Sequence, residues 1–332
     1  MTRQHMALVP PEPADAEDIW LRAAVAQSGD EVIIHAAGRA EDLPRLAGVI
    51  AAVDTRAAFR QLVLDAGAGA GSQAVLAQLG ATAEMLWLDA VPKLPEDVDA
   101  VLAESGAIAL VLHADDHASL CCALAAARLG ISIVRVGGRP KGSIGRVIAR
   151  LADLLLVHSP RDGDVGGAPL RPERATVIGN PLVELVQGEA RAALAAAAWR
   201  HYDLAPGGYI LAVLTGAVSA VDAAETLTEV MAVRPLLLEA PVGYEVPGAR
   251  VVATPSFLER LSLERAAEAI FTDSERVSEE ATALGVPCYA VDGSLEPAPV
   301  EPAPASQSWD RGASRRAADA LVANFARVRL TC

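Results

Sequence analysis

An alternation of two kinds of segment narrows the fold of this chain more than any other feature. Runs rich in Val, Ile and Leu take turns with alanine-rich stretches of helical spacing. EVIIHAA (31–37) reads as a strand, and LPRLAGVIAAV (43–53) carries apolar residues three and four apart. FRQLVLDAG (59–67) and SQAVLAQLG (72–80) repeat the pair, as do GAIALVLHAD (106–115) and ASLCCALAAARLG (118–130). ISIVRVGG (131–138) is a further strand, and GRVIARLADLLLVHS (145–159) runs from helix into strand. Strands this continuously apolar have no solvent face, so they predict a parallel sheet covered by helices on both sides.

The pattern pauses at RPERATVIGNPLVELV (171–186), where Asn180-Pro181 is a turn signal and an expected hinge near Gly179 to Leu182. A helix over EARAALAAAAWRHY (189–202) follows. The alternation resumes in GYILAVLTG (208–216), DAAETLTEVMAV (222–233), RPLLLEAP (234–241), ARVVATP (249–255), SLERAAEAIFTDS (262–274) and IFTDSERVSEEATALGVPCYAV (270–291). SLEPAPVEPAPASQ (294–307), with prolines among small residues, reads as an extended linker. SRRAADALVANFARVRL (314–330) has the spacing of an amphipathic helix. The expectation is an α/β protein of two Rossmann-like doubly wound domains facing a cleft. Their bounds are 1–178 and 179–308, with a C-terminal helix in 309–332 returning to the first domain.

Charge and composition exclude several roles. With 28 Lys and Arg against 42 Asp and Glu, the net charge of −14 opposes binding to nucleic-acid phosphates or to anionic membranes. Aromatics at 4% leave little to stack on bases. Cys121, Cys122, Cys288 and Cys332 form no C-x-x-C, so reduced thiols are expected, not a disulfide or zinc framework. The first twenty residues lack the charged and apolar regions of a signal peptide, and a cytoplasmic protein is the expectation. HADDH (113–117) sets His113, Asp115 and His117 close together. One loop rarely completes a coordination shell, so a helix-capping strand end is expected there and no metal. GGRPKGS (137–143), with Arg139 and Lys141, reads either as an anion-binding loop or as a flexible one.

Four segments resemble the non-hydrolysing UDP-N-acetylglucosamine 2-epimerases, which have the glycosyltransferase-B architecture. They are GRAEDLPRLAGVIAAV (38–53), LVLHADDHASLCCALAAARLGISIVRV (110–136), the stretch from RLADLLLVHSP to RPERATVIGNPLVELV (150–186), and IFTDSERVSEEATALGVPCYAV (270–291). The resemblance implies a chemistry in which a base takes the proton at C2 of the sugar and UDP leaves C1. It implies Asp115 and Glu41 as catalytic candidates. Arg39, Arg45, Ser274 and Glu280 are then the substrate-binding candidates, with Ser274 at the pyrophosphate and Glu280 at the ribose. No cofactor is implied. UDP or a UDP-sugar is the implied ligand, and the resemblance implies dimerisation through first-domain helices, here ASLCCALAAARLG and GRVIARLADLLLV. Keeping that small-residue apolar surface while losing catalytic groups leads to the expectation of a homodimer or a heteromer with an active paralogue.

The departures from the family pattern are as informative. The catalytic His-x-Glu-Ala-Gly segment reads Arg135-Val136-Gly137-Gly138-Arg139, so its carboxylate becomes Gly137. A second acidic segment falls on KGSIG (141–145). The phosphate-facing His and Arg fall on Thr215-Gly216-Ala217-Val218-Ser219, Glu275 replaces a glycine after Ser274, and Glu296 stands where a cation would meet UDP. At about 4 Å and an effective dielectric near 20, each charge pair is worth on the order of 4 kcal/mol before solvent screening. Losing cations and gaining anions therefore opposes a bound pyrophosphate. The expected function is a 2-epimerase-like protein degenerate in catalysis, acting as a binding or partner subunit. An active isomerase with altered groups and a glycosyltransferase are the alternatives.

Overall fold

The computed structural model describes residues 31–39, 42–56, 59–66, 72–88, 92–165, 168–169, 174–232, 234–252, 255–292, 298–300 and 312–328. The chain divides into two compact units, one of Met1–Pro181 with Ser306–Cys332 and one of Leu182–Ala305.

In the first unit the strands are β1 (Val32–Ala37), β2 (Arg60–Asp65), β3 (Glu84–Trp87), β4 (Ala107–Leu112), β5 (Ser132–Gly137) and β6 (Leu154–Val157). A small antiparallel pair follows, β7 (Asp164–Val165) and β8 (Ala168–Pro169), and then β9 (Ala175–Val177). The helices between them are α1 (Leu43–Asp54), α2 (Ser72–Gln78), α3 (Glu96–Ser105), α4 (His117–Leu129) and α5 (Gly142–Leu151). The main sheet is parallel in the order β3-β2-β1-β4-β5-β6-β9.

Side chains alternate across a strand, and the core divides accordingly. Val32, Ile34, Leu62, Leu64, Leu110 and Leu112 pack with Cys122, Ala126 and Ile148 on one face. Ile33, Val111, Val134 and Val136 pack on the other with Val49 and Val53 of α1. The C-terminal helix, Ala313–Val328, completes that second face through Ala317, Ala318, Leu321 and Phe325. Phe325 meets Phe59 edge-on at 5.9 Å, and Arg316 Nε donates to the Ile178 carbonyl at 2.8 Å.

In the second unit come α6 (Pro181–Ala196), β10 (Ile210–Val213), α7 (Ala220–Met231), β11 (Leu236–Glu239), β12 (Arg250–Val251), α8 (Phe257–Ala266), β13 (Ala269–Thr272), α9 (Glu275–Leu284), β14 (Cys288–Ala290) and β15 (Ala298–Pro299). The helix Ala313–Val328 is α10. The sheet order is β12-β11-β10-β13-β14-β15, parallel except for β15. Both sheets are of the doubly wound Rossmann type.

Several local readings change. The helix expected over 189–202 starts at Pro181, whose fixed φ and missing N–H suit a first turn. It stops at Ala197, which turns left-handed (φ 51°), and the chain continues as a 3-10 turn over Ala198–Tyr202. SLERAAEAIFTDS separates into the end of α8 and all of β13. Part of the proline-rich stretch, Ala298–Pro299, pairs with β14 at the sheet edge, where a strand proline is tolerated.

The small-residue helix α4 buries Cys121, Cys122, Ala123, Ala125 and Ala126 inside its own unit. Most of the apolar face of α4 is therefore core, while Leu129 at its end and Val147 of α5 are exposed. Burial raises the Cys122 thiol pKa, so it stays protonated and inert at neutral pH. No helix among the described residues is long and apolar enough to cross a membrane.

Candidate functional site

In the first sheet the strand order turns back between β1 and β4, the position where loops diverge and a crevice opens at the carboxyl ends. Gly38 and Arg39 leave β1 there, and His113 to Asp116 leave β4. The HADDH residues then go four separate ways. His113 Nε2 meets His35 Nδ1 at 3.4 Å, and His117 Nε2 lies 3.0 Å from the Lys93 carbonyl. Asp116 is the N-cap of α4, accepting from the Ser119 N–H at 2.7 Å. Asp115 turns to β5. Among the described residues no group of three or more His, Cys, Asp or Glu is placed to hold a metal ion.

Asp115 is held by a buried arginine. Arg135 Nε and Nη2 donate to its two oxygens at 2.8 and 2.7 Å, and the Lys141 N–H, at the N-cap of α5, donates at 2.9 Å. The side chains of Arg135 and Asp115 are 5% and 12% exposed. Two glycines frame the pair. A Cβ at Gly145 would lie 2.6 Å from Asp115 Oδ2, and one at Gly137 would lie 3.5 Å from Arg135 Nη2. A side chain at 137, where the family pattern has its carboxylate, would start in ordinary van der Waals contact with this guanidinium. We expect Gly145→Ala to cost about 1–3 kcal/mol in urea unfolding, because this carboxylate is pinned from three sides.

The GGRPKGS loop folds back on the same ion pair, through the Lys141 N–H to Asp115 and through Arg135 Nη1, which donates to the Gly138 carbonyl. The other candidates in this unit stand apart. Arg39 is 60% exposed, 3.9 Å from Asp116. Arg45 is half-buried on α1. Glu41 lies outside the described residues.

The second sheet reverses between β10 and β13. Here Asp273 gathers the loop after β10. The N–H groups of Thr215, Gly216, Ala217 and Val218 and the Thr215 hydroxyl all donate to its carboxylate, at 2.7 to 3.3 Å. The backbone donors of this anion-binding turn already face a carboxylate of the chain itself. Asp273→Ala should lower the stability of this unit by about 2 kcal/mol. Amide exchange at Gly216 to Val218 should quicken, and unchanged exchange would refute the assignment.

Ser274 takes the N-cap position of α9, but its hydroxyl makes no capping bond. Its own N–H donates to Thr272 Oγ1 at 3.0 Å. Glu280 faces neither a ribose nor solvent. It is fully buried, and both its oxygens lie 2.6 Å from Nη1 of the buried Arg276. Glu264, also fully buried, is pressed against it. Burial first, and Glu280 second, raise the Glu264 carboxyl far above the usual range, so it is protonated at neutral pH. The native state then holds more protons than the unfolded chain above the ordinary glutamate value, and stability falls as pH rises through that window. Glu264→Gln should cost little at pH 7 and flatten that decline in unfolding experiments at graded pH. Glu296 lies outside the described residues.

A third group of polar residues was not singled out from the sequence. His35 on β1 and Gln61 on β2 are buried, and His35 Nε2 meets Gln61 Oε1 at 3.0 Å. Gln61 Nε2 in turn reaches the Ile50 carbonyl at 2.9 Å and Asp54 Oδ1 at 2.5 Å. The available signal is the polar residue inside an otherwise apolar strand, in VIIHAA and RQLVLD. A parallel sheet covered on both faces must bury it and so must supply partners.

No family model matches the sequence, and no curated protein matches it. Solved structures do. The UDP-GlcNAc 2-epimerase of Methanocaldococcus jannaschii, in complex with UDP-GlcNAc and UDP, superposes with a TM-score of 0.69 over 89% of this chain and 99% of its own, at 15% identity. This chain has the UDP-GlcNAc 2-epimerase fold. The enzyme from Rickettsia bellii gives 0.65 over 78% of each chain at 18% identity. That from Neisseria meningitidis, bound to UDP-GlcNAc, gives 0.64 over 79% and 82% at 12% identity. The epimerase-type fold is kept across nearly the whole length while few residues are. In this version of it, each switch-point edge has an acidic side chain satisfied by groups of its own unit.

Proposed function

We propose that the chain is a UDP-GlcNAc 2-epimerase-like protein that takes up a nucleotide sugar, or a ligand of that type, without epimerising it. The observation that carries this reading is the bidentate grip of Arg135 on Asp115. A general base must have a free lone pair and reach the proton it removes. Here both carboxylate oxygens accept charged donors, and their reaction with a C2 proton would leave a buried guanidinium without its counter-charge. Gly137 offers no carboxylate in its place. Arg39, Arg45 and Ser274 remain as ligand-contact candidates, and Glu41 as a second acidic one. Glu280, committed to Arg276, serves the stability of its unit.

The expected result is stabilisation without turnover. UDP-GlcNAc at a hundred times its dissociation constant should raise stability by about 2.7 kcal/mol, read as a thermal shift. Absence of any shift with both UDP and UDP-GlcNAc would remove the nucleotide-sugar reading. Association with a second copy or with an active paralogue belongs to the same proposal. Light scattering over a dilution series, alone and mixed with an active epimerase, tests it. A monomer in both conditions leaves a monomeric binding protein.

A further inference from the structure

We infer that a second copy of this chain docks its cationic helix α5 into an acidic, apolar-lined groove beside α7. The inference deepens the association proposed in the preceding subsection and rests on it, but not on the nature of the ligand.

The groove belongs to the second unit and measures about 710 Å³. One wall is the outer face of α7, and the other is the loop between β11 and β12. That loop is held in place, because the Tyr244 hydroxyl donates to the Val218 carbonyl. Val221, Ala224 and Pro247 give the groove its apolar lining, and Val221 is well exposed. Glu225, Glu229 and Glu245 line it as well. All three glutamates are exposed, and none has a cationic partner among the described residues.

The chain carries a counterpart to this groove. Its net charge is −14, yet residues 139–152 hold four Lys and Arg and no Asp or Glu. Arg146 and Arg150 on α5 are exposed and meet no carboxylate among the described residues. Val147, next to Arg146, is an exposed apolar side chain. Other surface charges are paired, as Arg60 is with Glu84, Arg128 with Glu96 and Arg234 with Glu268. On α5 and α7, like charges instead stand one turn apart, which weakens a helix taken alone. Contact between the two faces removes both repulsions. Arg146 and Arg150 have the same spacing as Glu225 and Glu229, about 6 Å along a helix axis, so both pairs can form together. Val147 then meets the lining at Val221 and Ala224. Laying a helix in a groove is a general mode of recognition, and opposite charge sets the partner and the register. Two copies as acidic as this repel each other overall, so a local patch of opposite sign is what would bring them together.

The test is sedimentation velocity of the whole chain over a dilution series, at low and at high salt. One helix in one groove is a small interface, so the association is expected to be weak. The native chain is compared with a variant carrying Glu225→Lys and Glu229→Lys, and with one carrying Arg146→Glu and Arg150→Glu. The native chain should associate, and high salt should weaken that association. Each variant alone should associate at least about tenfold less tightly, because its two faces now carry like charge. An equal mixture of the two variants should regain the native strength, since each supplies the charge the other lacks. Should a double variant not fold, Glu229→Gln and Arg150→Gln should each weaken association, and unchanged association in both would overturn the inference. Variants that associate as tightly as the native chain overturn it and leave association through another surface standing. A mixture no stronger than its parts overturns it too. A native chain that stays monomeric throughout overturns both this inference and the association reading, and leaves ligand binding untouched.

Discussion

Arg135→Met should destabilise the first unit by about 3 kcal/mol or more, because it leaves the mostly buried Asp115 carboxylate without its counter-charge. The methionine fills similar volume, so lost packing adds little. Asp115→Asn alone should be costly for the mirror reason, since it strands a guanidinium that is 5% exposed. The double variant should recover part of the loss, because neither side is then charged. A double-mutant cycle by urea unfolding, read at Trp87 in this unit, gives the coupling directly. Additive single effects would mean that the two side chains do not stabilise each other, and Asp115 would again be available as a base.

The second large effect is on acid stability. His35 is neutral in the native state, with its pKa held down to about 4 by burial against a partial opposing effect of its bond to Gln61. Unfolded, it titrates near 6.5. Between those values the unfolded chain binds the extra proton, so stability is fully present above about 6.5 and is lost as pH falls toward 4. The difference corresponds to about 3 kcal/mol for His35 alone, and His113 shifts in the same direction. The charged and titratable groups facing this pair are Arg45 and His158, with Asp54 behind Gln61. Glu264 acts in the opposite direction, but it lies in the other unit, so Trp87 and Trp199 as separate reporters distinguish the two. His35→Gln should flatten the acid limb seen at Trp87. An acid limb of undiminished slope in that variant would show that other groups set it.

Most of the fold was readable because two periodicities dominate the chain. VIIHAA, LVLHAD and SIVRVGG are too apolar for anything but covered strands, and the alanine-rich stretches between them have helical spacing. Elements with little apolar content were missed. Strand β3 is four residues long, and α3 is an acidic helix with only Val98, Val101 and Leu102 buried. The site was less legible, because charge partners are set by tertiary contact. Nothing in sequence spacing pairs Asp115 with Arg135, twenty positions away. Asp273 reads equally as a ligand contact and as the organiser of the Thr215 to Val218 loop. Glu280 reads as a ribose contact, because nothing on a segment with so few apolar residues shows that it is buried against Arg276, four positions before it. A buried charge demands a partner, so Arg135 inside an apolar strand is a signal of the same kind as His35 and Gln61.

Whether the fold has kept its name-giving chemistry is settled most directly by proton exchange. The chain is incubated with UDP-GlcNAc in heavy water, and the sugar is examined for deuterium at C2 by mass spectrometry and proton NMR. This reads the first chemical step even when no net product accumulates. With Asp115 closed by Arg135 and no carboxylate at Gly137, the expected result is no incorporation above the protein-free control, in a sample where UDP-GlcNAc binding has been verified. Deuterium at C2 in the native chain, abolished by Asp115→Asn, would contradict the account and make Asp115 a working base.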